Sequence, residues 1–491
     1  MSHPERLMAV SEILTNFQGL DALKQLLWSE LNYERANTPL SRRGWPEGAS
    51  QCLQEDPLLF AVAGMDDAFR VVYARLTSEQ LLLGAERRVM SQLMRNHPYA
   101  LFIFSNRERD HWHFVNAKYD DDASKRRMFR RITVGQGERL RTATERIAML
   151  DLGTMGRDPS NLSPLEIQER HDEAFNVEKV TAQFFDEYKS IFIDLQKDLV
   201  YQVKDQTWAH DYALQFLNRL MFLCFVQRKH WLGANPEFLR LFWETYRESG
   251  ESSNSFFEQW LKILFFEALN NRLSDNHNHF PDEIMQVLKN APYLNGGLFV
   301  KNHLDSKYTF SITDESIEQV IDFLDRYNFT IAEDSPFDKE VAVDPEMIGK
   351  VYESLVNVSE EIDERGDAGI FFTERIEIDI MCRLSLVDYM ANHLGEEHKN
   401  SLYEVVFALD PDEKTEADQY LTEANLWPQV ASLLRDVTII DPACGSGSFL
   451  VGMLNVLDDL TERADCCLGK RRSGFNRKKQ IIGQNLYGVD V

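Results

Sequence analysis

Near the far end of this chain, Val437-Thr438-Ile439-Ile440 runs directly into Asp441-Pro442-Ala443-Cys444-Gly445-Ser446-Gly447-Ser448, and Phe449-Leu450-Val451-Gly452-Met453-Leu454 then resumes with helical spacing. Four β-prone residues, a turn of small residues and an apolar helical run predict strand, turn, helix. Gly445 and Gly447 carry no Cβ, so backbone can approach a ligand closely there. A helix start adds N–H groups that have no acceptor within the helix. Asp441, at the carboxyl end of the strand, can hold a positively charged or hydroxylated group. The turn is not a phosphate loop, because no Gly-Lys-Ser/Thr follows. It is also a poor dinucleotide fingerprint, because the third glycine is missing and an acid closes the strand.

The turn belongs to a long chain. Its 491 residues suggest two to four domains, and 44% hydrophobic and 11% aromatic content can bury large cores. The formal net charge is -26, so bulk electrostatics repel nucleic acid and any DNA contact needs a local basic patch. Six cysteines show no paired metal spacing, and Cys466-Cys467 are adjacent. No metal site is expected, and a reduced, cytoplasmic protein is the simple reading. The first residues hold no apolar signal core.

Residues 1–155 read as mixed α/β. A helix is expected over Arg6–Leu31, strands at Leu58–Ala63, Phe69–Leu76, Ala100–Phe104 and His113–Ala117, and helical spacing over Ser78–Asn96. With Asp66 and Asp67 ahead of a strand, the pattern resembles the PD-(D/E)xK nuclease fold. That site needs an acid and then acid-x-Lys on the strand to hold a divalent metal. Here Tyr73 stands in the second acid's place and Arg75 in the lysine's, so a degenerate, nuclease-like domain is expected.

The run Lys125 to Arg146 has eight basic residues against two acids, a local net of +6. Arg130, Arg131, Arg139 and Arg141 are therefore candidate phosphate contacts. The competing reading is a solvated charged face, or arginines paired to the acidic body. Residues 156–175 read as a linker. The pattern from 176 to about 335 is helical, with long helices at Val177–Leu199 and Trp208–Leu232. The expected division is 1–155, mixed α/β; 156–340, a helical connector; and 341–491, the domain built on the Asp441 turn.

Asp441-Pro442-Ala443-Cys444-Gly445-Ser446-Gly447-Ser448-Phe449-Leu450 closely resembles the S-adenosylmethionine-binding motif of adenine-specific DNA methyltransferases. Arg219-Leu220-Met221-Phe222 with Trp231-Leu232, Pro292–Phe299 and Gly349–Leu355 are similar to segments of the large type IIG restriction–modification and phage-defence members. Gly369-Ile370-Phe371-Phe372-Thr373-Glu374 resembles their Tyr-Thr-Pro segment, with Phe372 for the tyrosine and Glu374 for the proline. Asn485–Asp490 looks like their second strand.

The resemblance implies the start of a class I Rossmann-like methyltransferase domain and S-adenosylmethionine as cofactor. By the same resemblance Phe372, Thr373, Asp441, Ala443, Gly445 and Gly447 meet the methionine part. Asp490, 49 residues beyond Asp441, accepts from the ribose hydroxyls. The substrate it implies is adenine in double-stranded DNA. The family's catalytic Asn/Asp-Pro-Pro-Tyr/Phe follows that second strand, and no Pro-Pro dipeptide occurs in this sequence. No catalytic residue is assigned. The expectation is the front part of a site-specific methyltransferase. The alternative is a non-catalytic DNA-binding subunit of a split enzyme, with a partner chain completing the domain.

Overall fold

The structure, a computed structural model, describes residues 3–119, 127–274, 276–294, 297–329, 338–340, 342–343, 373, 375–409, 411–445 and 447–489. Seven strands lie side by side in sequence order: β1 (Glu34–Pro39), β2 (Leu58–Ala63), β3 (Phe69–Arg75), β4 (Ala100–Ser105), β5 (His111–Tyr119), β6 (Arg127–Gly135) and β7 (Asp338–Glu340). The β3–β4 and β6–β7 pairs are parallel and the other neighbours antiparallel.

Every residue of β4 is buried, because the sheet is covered on both faces. Side chains alternate across a strand. Leu101 and Ile103 therefore join Phe60, Tyr73, Trp112 and Ile132 on one face, while Phe102 and Phe104 join Val72, Ala74 and Val115 on the other. Helix α1 (His3–Thr15) packs on the first face, and α2 (Leu83–Leu93), the crossover between β3 and β4, on the second.

The single opening helix expected over Arg6–Leu31 is interrupted. It ends at Thr15, and helix resumes at Gly19, whose φ of 71° lies in the left-handed region. β1 and β6 were not foreseen. β1 is an exposed, polar edge strand, and β6 turns Ile132 and Val134 to one face and Phe129 to the other, with the buried Arg130 and Arg131 between them in sequence.

After α3 (Leu140–Ala148), the stretch expected as a linker contains α4 (Pro164–Ala174). Ser163 and Glu166 form a capping box that starts it, and Pro164 takes a first-turn position. The long helices α5 (Val177–Val203) and α6 (Gln206–Arg228) follow, joined at Lys204 in a left-handed conformation and at the Asp205 N-cap. One apolar core continues from the sheet into these helices, so the boundary expected near 155 is a connection rather than a gap in packing.

Arg219 is fully buried in α6. Its guanidinium pairs with both Asp305 oxygens at 2.7 and 2.9 Å and donates to Leu298 O at 2.6 Å. Arg219 thus meets the 292–299 segment through its hydrogen bond to Leu298 O, and Phe222 and Phe299 ring centroids stand 5.8 Å apart.

A second apolar core spans residues 378–481. It unites α7 (Arg375–Leu394), α8 (Lys399–Phe407), α9 (Trp427–Asp436), β8 (Ile439–Asp441), α10 (Ser448–Cys467), α11 (Gly474–Gln484) and β9 (Leu486–Gly488). No described helix is long and apolar enough to cross a membrane.

Candidate functional site

The Asp441 turn folds as a bend between strand and helix. β8 pairs in parallel with β9, aligning Ile439 with Leu486, Ile440 with Tyr487 and Asp441 with Gly488. Past the strands, Val489 N–H donates to Asp441 O at 2.8 Å and Cys444 N–H donates to Val489 O at 2.9 Å. Gly488 permits this approach: a Cβ there would stand 2.8 Å from Cys444 Sγ and 2.9 Å from Leu450 Cδ1.

Gly445 and Gly447 adopt φ of 49° and 82°, where side chains are strained, and a Cβ at either would meet open space. No described residue packs there, so the glycines serve backbone shape. Gly447 is the N-cap of α10 and supplies no side chain to cover the first turn.

Asp441 Oδ1 accepts from Ala443 N at 3.1 Å, which holds the turn closed. Asp441 Oδ2 is buried and has no hydrogen-bond partner among the described residues. A buried carboxylate oxygen without a donor is costly. Its position suits a ligand that brings a donor or a positive charge.

A cleft of about 470 Å³ opens between this turn and α7. One wall is Cys382, Ser385 and Tyr389 of α7; the other is Val437–Pro442 with Phe449, Leu450 and Met453. The helices that frame it touch closely. A Cβ on Gly452 would stand 2.6 Å from Ile378 Cγ2, and Cys382 Sγ lies 3.8 Å from Phe449 O. Burial first, then the nearby Asp379 and Asp441 carboxylates, push the Cys382 thiol up to about 12. It is therefore a neutral wall group at ordinary pH. The α7 residues escaped sequence reading, because their spacing on a helix reads as ordinary core.

Thr373 is half-buried just ahead of α7. Phe372, Asp490 and the segment Gly349–Leu355 lie outside the described residues. Ile440, on β8, is 64% exposed, and β9 is the one strand beside it among the described residues.

The basic run is placed differently from its expected role. Arg130 and Arg131 are buried in β6. Arg130 Nη2 lies 3.2 Å from both Glu178 oxygens, and Arg131 lies 3.9 Å from Glu86, which is itself fully buried and 2.6 Å from His113 Nδ1. Arg139 pairs with Asp325 and stands 3.8 Å from Glu237. Arg141, more exposed, meets Glu145 at 3.1 Å. Each of the four thus has a carboxylate near it within the chain, with Arg130, Arg131 and Arg139 largely buried and Arg141 exposed. Lys125 and Arg126 lie outside the described residues.

In the seven-stranded sheet, Tyr73 is buried, with its Oη 2.8 Å from Ser105 Oγ and accepting from Arg109 Nε at 3.0 Å. Burial pushes its phenol above the usual range. Arg75 donates to Arg107 O. The two residues in the acid and lysine positions are thus used in packing. Among the described residues, no group of three metal-ligating side chains converges.

The chain is similar to a protein of Methanocaldococcus jannaschii provisionally named as a type II restriction enzyme and methyltransferase. They are 32% identical over 288 residues, which is 57% of this chain and 23% of that protein. This chain therefore spans about a quarter of that relative's length. No family model and no solved structure matches the chain.

Proposed function

We propose that the bend at Asp441 is an S-adenosylmethionine site, and that the chain carries the cofactor-binding portion of an adenine-specific DNA methyltransferase of a restriction–modification or phage-defence system. The observation that carries this is the buried oxygen of Asp441, without a partner among the described residues, beside two left-handed glycines that no described residue covers. The likeness to a restriction–modification protein supports the same reading. Asp441, Ala443, Gly445 and Gly447 would hold the methionine part, with Phe372 and Thr373 alongside, and Asp490 would take the ribose hydroxyls. When bound, S-adenosylmethionine supplies an electrophilic methyl group on a sulfonium. The chain's own part is to bind, orient and exclude water, which lowers the barrier by positioning. No Pro-Pro dipeptide is present, so no residue of this sequence is assigned to hold the adenine amine.

Titration calorimetry with S-adenosylmethionine tests the site, and DNA methylation by the complete protein tests the function. Asp441→Ala is expected to weaken cofactor binding by about tenfold or more, since a hydrogen bond to a charged group contributes ~1.5–3 kcal/mol. It is expected to abolish adenine methylation. Full methylation by that variant would overturn the assignment.

A further inference from the structure

Between Leu468 and Val489 there are six cations and no acid, in a chain of net charge -26. The structure divides these six. Arg472 is held by Asp465 at 2.6 Å, and Arg477 is buried against Asp458 and Glu462, both at 2.9 Å. Arg477 fastens α11 to α10, and Arg472 does the same for the turn that leads into α11. Lys470, Arg471, Lys478 and Lys479 are exposed, and of them Lys478 alone reaches an acid among the described residues, Asp458 at 3.9 Å.

Phe475, Lys479 and Ile482 follow at i, i+4 and i+7, so they share one face of α11. That face is solvent-facing, with Phe475 at 74% and Ile482 at 57% exposure. Arg477 and Ile481 form the opposite, buried face. Lys470 and Arg471 precede the start of α11, and its first turn contains no acid. The helix dipole makes that end positive, so the cations there raise the local potential further. An exposed aromatic ring set among cations matches a polyanion that also offers apolar surface.

We infer that Lys470, Arg471, Phe475, Lys478 and Lys479 form a DNA-contacting surface, distinct from the Asp441 turn. α10 is 20 residues long, about 30 Å at 1.5 Å per residue, and separates the two along the chain. Its cations meet phosphates of duplex flanking the target, and Phe475 adds an apolar contact to sugar or base edge. The inference rests on the methyltransferase reading only in taking DNA, rather than another polyanion, as the partner.

The test measures affinity of the whole chain for a short fluorescent duplex by anisotropy, across a salt series. The variant Lys470→Ala/Arg471→Ala/Lys479→Ala is expected to bind about tenfold or more weakly. Its slope of log affinity against log salt should flatten by about 2 to 3, at roughly 0.9 per lost phosphate contact. Phe475→Ala should bind about threefold more weakly with the slope unchanged, since an apolar contact releases no counterion. Both variants should keep the native melting temperature and cofactor affinity, because the altered side chains are exposed. Native affinity and slope in the triple variant would overturn the inference, as would no duplex binding by the native chain. Displacement of the duplex by poly-glutamate as readily as by unlabelled duplex would assign the surface to an acidic protein and overturn it too. Asp441→Ala separates the two readings, since it is expected to lose cofactor and keep duplex binding.

Discussion

Gly488 shows how one missing atom shapes the candidate site. Its Cα lies so close to Cys444 and Leu450 that a methyl group would overlap both. Gly488→Ala is expected to push β9 away from the turn and cost about 1–3 kcal/mol, the usual range for overpacking. The expected readout is a lower melting temperature together with weaker cofactor binding. Adding Cys444→Ala should recover part of both; if the double variant is no better than the single, the close approach is not the cause. Asp441, Gly445 and Gly447 were legible in the sequence because the chemistry of a turn depends on residue type. Cys382, Ser385 and Tyr389 were not, since nothing in a helical repeat says which turn of a core helix borders a cleft. Arg130, Arg131 and Arg139 misled for a related reason. A count of charges along the chain says nothing of carboxylates brought to them from Glu178, Glu86 and Asp325.

At the scale of elements, most strands were legible where β-prone runs fill both faces of a sheet, as in β2, β3 and β4. β6 was not, because arginines interrupt its apolar alternation, and α4 was not, because its capping box lies inside a Pro- and Ser-rich stretch. The join between α6 and the 292–305 region depends on Arg219 and Asp305. Removing one partner leaves the other charge buried, at about 3–5 kcal/mol. Arg219→Ala is therefore expected to lower the chemical denaturation midpoint strongly. A variant that replaces both, Arg219→Met with Asp305→Leu, should regain much of the loss. If Arg219→Ala unfolds at the native midpoint, the pair contributes no such stability.

At the scale of the molecule, the described residues gather into a large core around the sheet and long helices and a second core around the candidate site. The acidic surplus is not spread evenly, since the stretch from Leu468 to Val489 is purely cationic. Parallel strands are ordinarily sheltered on their flanks and faces. β8 instead leaves Ile440 bare. A naked apolar strand margin recruits other strands, its own copies included. Purified chain is therefore expected to self-associate as its concentration rises, seen as growing mass in light scattering. Ile440→Lys should suppress the growth, and unchanged association in that variant would place the adhesive region elsewhere. How the chain meets its own copies would then be set by one bare isoleucine on a two-stranded ribbon rather than by either buried interior.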